Sequence, residues 1–413
     1  MYAWSLLWFG IGVGGEYPMT SITAMEGVHG QPRWGQLVNQ VVLILALLTF
    51  HSGGSPPYGE VATQYTFRIS FAFIAIFLLF LIYIRVFKLK NANQSFNASR
   101  KRGRVTGYDV TSLRLVMGHY WHRLFATSLC WFCNDFPFYG NQIFRNVFLQ
   151  LVTGGNSSEV TTLWLYNLVN VGCELVGYYL AALLIDHKLY GRKRMQAVGF
   201  LMNFVLFIIA AAIFPKLDTM GAGAHGFEFI YFFSSFWIQF GPNSTTFLVA
   251  GEVYPSPVRA TAHGLFAAVG KCGALTATVL YNYIGSRTKF WVVCWFGLIG
   301  FCLAVVFIPD TTGLDLREQE RYWLFVREGR QDEYHGIAIH PRHLSLFEKV
   351  ILKRGRNYDP ELDQKAKIEE LRSLYDRVNS EKGTELGEET GESIDEKVST
   401  YFDWEKTKEV HTI

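Results

Sequence analysis

The stretch AHGLFAAVGKCGALTATVLYNYI, residues 262–284, decides how the chain is read. It is long and apolar enough to cross a bilayer, since about 20 residues in a helix span the hydrocarbon core, yet it carries Lys271 at its middle. A second such stretch, at 120–150, carries Asp135. An ionisable side chain at mid-membrane costs roughly 2.5–3.5 kcal/mol on insertion scales, so it ordinarily faces a partner or a water-filled cavity and marks a substrate or ion path. Those two charges point to transport.

The rest of the composition agrees. Hydrophobic residues make up 50% of the chain and charged residues 18%, a balance suited to a polytopic membrane protein. Nine apolar runs are expected as spans, at 2–25, 34–51, 65–87, 120–150, 160–185, 195–214, 228–249, 262–284 and 290–308, with the 120–150 run broken. The fold class is therefore all-α. Cys130, Cys133, Cys173, Cys272, Cys294 and Cys302 all lie inside these runs, which argues against an extracellular disulfide framework, and the Cys130-x-x-Cys133 pair stands without a second pair to complete a metal site.

Basic residues in short loops set the orientation. Lys88, Lys90, Arg100, Lys101, Arg102 and Arg104 mark the loop at 88–104 as cytoplasmic, and Lys188, Arg192, Lys193 and Arg194 do the same for 186–194. Asn156-Ser157-Ser158, a glycosylation acceptor, then falls on the opposite side. The chain divides into a partial N-terminal bundle at 1–87, a basic cytoplasmic loop at 88–118, a six-helix bundle at 119–309, and a polar cytoplasmic tail at 310–413, expected to be partly disordered with a helix near 359–379. The tail histidines His335, His340 and His343 are read as solvated. Three spans before the basic loop and six after it suggest two six-helix halves with the first three helices absent, an arrangement expected not to transport by itself.

Polar groups within the spans carry the chemistry. Trp131, Asp135 and Tyr139 recur at i, i+4 and i+8, which lines an indole, a carboxylate and a phenol along one helix face. Asn243 follows Pro242, which disrupts the helix around it. Lys271 has small neighbours, Gly270 and Gly273, and an ammonium with three donors suits a phosphate or carboxylate oxygen, or an ion pair with Asp135 that serves structure alone. Glu16 follows a glycine-rich helix face and precedes Tyr17-Pro18, placing an ionisable group beside a kink. At the loop ends, Asp186 with Arg192 and Lys193, and Glu252 with Arg259, form acid and base pairs suited to a gate or to topological anchoring. Glu174 and Arg145 have no assignment beyond packing or gating.

Gly14-Gly15-Glu16-Tyr17-Pro18, Trp131-x3-Asp135-x3-Tyr139-Gly140, Asp186 with Gly191-Arg192-Lys193, Gly241-Pro242-Asn243-Ser244-Thr245-Thr246-Phe247, Glu252-Val253-Tyr254-Pro255 with Arg259, and Gly270-Lys271 resemble, in order, the phosphate:proton symporter family of the major facilitator superfamily. Pro309-Asp310-Thr311-Thr312-Gly313 is similar to the motif that closes its last helix. The resemblance implies a substrate site lined by Tyr17, Trp131, Asp135, Tyr139, Asn243 and Lys271, with Glu16 and Asp135 handling protons. Glu16 stands where the family usually has Asp, and the family's fifth-helix glutamine lies about a turn from Gln40. Those departures leave inorganic phosphate and glycerophosphodiesters both open.

The expected partners are thus a phosphate or organophosphate anion, protons and the lipid bilayer, with no cofactor, no metal and no nucleic acid. The expected location is the plasma membrane. A sugar or polyol porter shares the loop motifs but has little use for a buried ammonium, and a non-transporting sensor or assembly partner is the reading from another class. No nucleophile and base set at catalytic spacing points to an enzyme.

Overall fold

The computed structural model describes residues 59–87, 110–145, 160–187, 189–215 and 221–382, with isolated positions between 41 and 49. Every regular element among them is helical. They are α1 (Glu60–Phe87), α2 (Val110–His119), α3 (Trp121–Ile143), α4 (Val160–Leu184), α5 (Gly191–Ile213), α6 (Gly221–Ile238), α7 (Ser244–Glu252), α8 (Ser256–Leu280), α9 (Ser286–Phe307), α10 (Leu316–Arg327), α11 (Leu346–Val350) and α12 (Pro360–Lys382), together with short 3-10 turns in the tail.

Seven of the nine expected spans fall on these helices, α6 and α7 together accounting for one; the runs at 2–25 and most of 34–51 lie outside the described residues. Segments within α4, α5, α8 and α9 are each long and apolar enough to cross a membrane. α3 continues through Pro137 and Gly140 and ends at Ile143, inside the 120–150 run expected to be broken; 146–150 lie outside the described residues. A proline removes one backbone bond, but packing on neighbouring helices keeps the remaining turns in register. At Gly140 the side chain of Tyr281, the residue that ends α8, occupies the space where a Cβ would stand, and filling that space is what the missing side chain permits.

The helix is disrupted instead at Gln239–Asn243, a π-turn containing Pro242 that joins α6 to α7. Such widened turns leave a carbonyl without its usual partner and recur where side chains need re-aiming. Here the turn approaches α5 closely, with Gly199 against Gly241.

Residues 310–382 form a cap under the bundle. Tyr322, Trp323 and Val326 of α10, with Tyr334 and Ile339, share one apolar core with Val116 and Tyr120 beside α3, with Tyr254, and with Ile308 at the end of α9. The expected helix near 359–379 is α12. His343 is buried rather than solvated, its Nδ1 2.8 Å from the Asp310 carbonyl. His335 Nδ1 lies 2.6 Å from the Asn357 carbonyl.

Candidate functional site

The site is built where α3 and α8 cross. Gly270 of α8 meets the flat of the Trp131 indole, and Gly273 lies against the backbone of Phe132, so two missing side chains let the helices approach closely. That approach brings the two mid-membrane charges together. Lys271 Nζ donates to Asp135 Oδ2 at 3.0 Å and to the Tyr139 hydroxyl at 2.7 Å, and it stands 4.1 Å from the centroid of the Tyr139 ring. The Trp131 indole also reaches the Asp135 carboxylate. Trp131 itself is fixed edge-on by His263 and Phe247, at ring separations of 5.2 and 6.1 Å.

The exposures of the pair differ sharply. The Asp135 side chain is 4% exposed and that of Lys271 43%. The Asp135 side chain is sealed among helices while the Lys271 side chain is partly exposed, so of the two the lysine is the more accessible.

Asn243 joins the cluster through a residue the sequence reading passed over. Asn134 Nδ2 donates to Asn243 Oδ1 at 3.2 Å and to Asp135 Oδ1 at 3.3 Å. Asn243 Nδ2 in turn donates to Gln239 Oε1 at 2.7 Å, across the π-turn. Gln239 was discoverable: it stands four residues before Asn243 in an apolar helix, where a lone amide needs a partner. Asn134 was obscured by the charge beside it. Of the residues expected to form the site, Trp131, Asp135, Tyr139, Asn243 and Lys271 are thus brought together, whereas Glu16 and Tyr17 lie outside the described residues.

A second cluster stands at the loop end of α5. Arg192 forms ion pairs with Asp186 (Nη1 to Oδ1, 2.9 Å) and with Glu252 (Nε to Oε2, 2.7 Å), and Thr311 donates to the same Glu252 oxygen at 2.5 Å. Gly191 enters α5 with φ +61° and packs on Thr312, whose hydroxyl accepts from the Arg192 N–H at 2.9 Å. A left-handed backbone favours glycine there. The other two expected gate residues do not join. The electrostatic neighbours of Lys193 are Lys349, Asp310 and Glu348, and Arg259 is buried with its Nε donating to the Tyr254 carbonyl at 3.1 Å.

A third cluster, absent from the sequence reading, ties the cap to the N-terminal end of α3. Glu348, fully buried, contacts Arg123 at 2.7 Å, His122 at 3.0 Å and Arg354 at 3.0 Å, while its other oxygen closes a capping box with Ser345. Burial alone would raise the Glu348 pKa, but the Arg123 charge, the His122 hydrogen bond and Arg354 outweigh it and hold the carboxyl well below its ordinary range. His119 is pushed down to about 3, first by burial and then by Arg354 and Arg123.

Comparison with known proteins follows the same lines. The family model described as "Sugar (and other) transporter" matches residues 88–323. Two relatives from Schizosaccharomyces pombe, each named a putative inorganic phosphate transporter, are 34% and 36% identical over 219 and 221 residues, or 50% of this chain. The chain spans 36% of the length of each. A probable inorganic phosphate transporter 1-6 from Arabidopsis thaliana is 28% identical over 369 residues, covering 75% of this chain and 70% of the relative. Among solved structures, a double Trp mutant of XylE superposes with a TM-score of 0.53 at 17% identity, over 70% of this chain and 64% of that one.

Proposed function

The chain belongs to the sugar (and other) transporter family, and from that premise we propose that it moves inorganic phosphate or an organophosphate together with protons by alternating access. It is an integral membrane protein with the major facilitator fold. The observation that carries the proposal is the partly exposed Lys271, its ammonium held between the sealed Asp135 side chain and the Tyr139 hydroxyl. A pocket for neutral polyols gains little from a cation, whereas a phosphate oxygen pairs with one strongly. The naming of the fission-yeast and plant relatives supports the same substrate class.

In the proposed cycle Trp131, Tyr139, Asn243 and Lys271, with Tyr17 from the N-terminal side, line the anion site, and Asp135 and Glu16 carry protons. Protonating Asp135 removes the competing negative charge and releases Lys271 to the anion; discharge of both to the cytoplasm restores the pair. An anion entering against an inside-negative potential is opposed by about 2.3 kcal/mol per charge per 100 mV, so more than one proton must accompany a monoanion for net positive charge to move inward. The Arg192 cluster with Asp186 and Glu252 serves as the cytoplasmic gate, with Lys193 and Arg259 beside it. The protein resides in the plasma membrane with the cap in the cytoplasm.

Binding of radiolabelled inorganic phosphate to the purified chain in nanodiscs, with glycerophosphate and glucose as competitors, tests the substrate class. Displacement by glycerophosphate and not glucose, lost in Lys271→Ala, is expected. Displacement by glucose alone, or phosphate binding that survives Lys271→Ala, refutes the proposal.

A further inference from the structure

Glu174 takes no part in the cycle above, yet it is the far end of an unbroken run of hydrogen bonds that finishes on Asp135. It stands on α4, is 5% exposed, and accepts from Arg145 Nη2 at 2.9 Å, Asn170 Nδ2 at 2.7 Å and Gln239 Nε2 at 3.2 Å. Gln239 Oε1 accepts from Asn243 Nδ2, Asn243 Oδ1 accepts from Asn134 Nδ2, and the same Asn134 amide reaches Asp135 Oδ1. Three amides therefore separate two carboxylates. Arg145 lies ten positions beyond Asp135 in sequence, which along a helix is about 15 Å. Arg145, Glu174 and Gln239 border a narrow, open cleft between α3, α4 and α6.

Donor and acceptor chemistry fixes the order of such a chain. An amide has one donating and one accepting end, and an ionised carboxylate only accepts. Gln239 must therefore turn its NH2 towards Glu174, which leaves its oxygen for Asn243; Asn243 must turn its NH2 towards Gln239, which leaves its oxygen on the side of Asn134 and Asp135. The Asn134 NH2 has two hydrogens, one for the Asn243 oxygen and one for Asp135, so no like ends meet. Side-chain amides are poor proton carriers, and what the chain transmits is orientation.

The consequence falls on the ligand. On the Asp135 side a tetrahedral anion meets the Lys271 cation together with one acceptor, the Asn243 oxygen, since Asp135 is protonated at that stage of the cycle. Monobasic phosphate brings hydroxyls that donate to acceptors, whereas sulfate brings none. We infer that Glu174 is a positioning residue that, through Gln239, sets the Asn243 amide so that the site favours a tetrahedral anion still carrying a proton over one fully deprotonated. The inference rests on the anion-transport reading above. A buried acceptor left facing another acceptor costs roughly tenfold or more in binding.

Displacement of radiolabelled inorganic phosphate from the purified full chain in nanodiscs, at mildly acidic pH, by unlabelled phosphate and by sulfate gives the selectivity directly. The wild-type chain is expected to prefer phosphate by about tenfold or more. Glu174→Gln introduces a side chain that donates as well as accepts, so the amide order can invert and the preference should fall towards one, while Glu174→Asp, still only an acceptor, keeps it. Gln239→Met cuts the chain without touching the Arg145–Glu174 pair and should lose the preference too, which keeps the test decisive if Glu174→Gln does not fold. Selectivity unchanged in both chain-breaking variants, or a wild-type chain displaced equally by the two anions, overturns the inference and leaves the phosphate reading standing. A wild-type chain that binds no phosphate overturns that reading, and the inference with it.

Discussion

Lys271 on α8 and Asp135 on α3 meet at 3.0 Å, but one is sealed and the other is open, with side-chain exposures of 43% and 4% respectively. The pair is therefore asymmetric in what its loss costs. Removing Lys271 strands a buried carboxylate, whereas removing the charge of Asp135 leaves a lysine that is still partly exposed.

Lys271→Met is accordingly expected to destabilise the protein by about 3 kcal/mol, and Asp135→Asn by no more than about 1 kcal/mol. The double variant Asp135→Asn, Lys271→Met should recover most of the loss, because no uncompensated charge remains. Thermal unfolding in one detergent, followed by near-ultraviolet circular dichroism, reads the difference. Equal losses in the two single variants would contradict the asymmetry.

Gly270 and Gly172 are both helical glycines, and they separate packing from propensity. A Cβ at 270 would overlap the Trp131 indole, while one at 172 meets nothing within 4 Å. Gly270→Ala should cost about 1–3 kcal/mol through overpacking and displace Trp131; Gly172→Ala should be neutral or stabilising by up to about 1 kcal/mol. Unfolding midpoints and the tryptophan emission maximum check both.

Glu348 joins the cap to α3 through Arg123 and His122, and pairs within the cap with Arg354. Glu348→Ala leaves the buried Arg123 without its carboxylate, and a loss of roughly 3–5 kcal/mol is expected from breaking a buried ion pair on one side. The damage should be local. Limited proteolysis is expected to cut residues 310–382 first in this variant, with the helices of the bundle retained; cleavage kinetics like those of the wild type would count against a role for Glu348 in docking the cap.

Two groups at this junction make its docking depend on pH in the same sense. The folded protein holds Glu348 below its ordinary pKa, so the stabilisation is present above the ordinary glutamate range and drains away as pH falls towards the folded value. His119 is pushed down from 6.5 to about 3, so between those values the unfolded chain binds the extra proton, and stability again falls as pH falls. Cap protection measured by amide hydrogen exchange should therefore decline from pH 6.5 towards pH 3, and Glu348→Gln should flatten the lower part of that profile. A cap more protected at low pH would refute the assignment.

Much of the fold was legible because a bilayer imposes a length and a hydropathy on each span, and neither depends on distant parts of the chain. The runs at 65–87, 160–185 and 290–308 are helices α1, α4 and α9 within a few residues. α3 runs on through Pro137 because a single proline removes only one backbone bond, and Gly273 of α8 and Tyr281 just past it pack against α3 on either side of that position. Acid and base types at loop ends pointed to Asp186, Arg192 and Glu252, which do meet in ion pairs, but nothing local tells that Arg259 donates to the Tyr254 carbonyl.

By itself, then, the sequence determined the class of the protein, an all-helical membrane bundle, and the identity of its unusual charges, because burying Lys271 or Asp135 in hydrocarbon is costly wherever the chain places them. The tertiary structure decided what those charges touch. That Asp135 is sealed and Lys271 open, that Asn134 and Gln239 link Asn243 to both Asp135 and Glu174, and that Glu348 anchors a folded cap 225 positions away from Arg123 all follow from contacts between helices distant in sequence. Spacing along one helix fixes which side chains share a face; only packing fixes which faces meet.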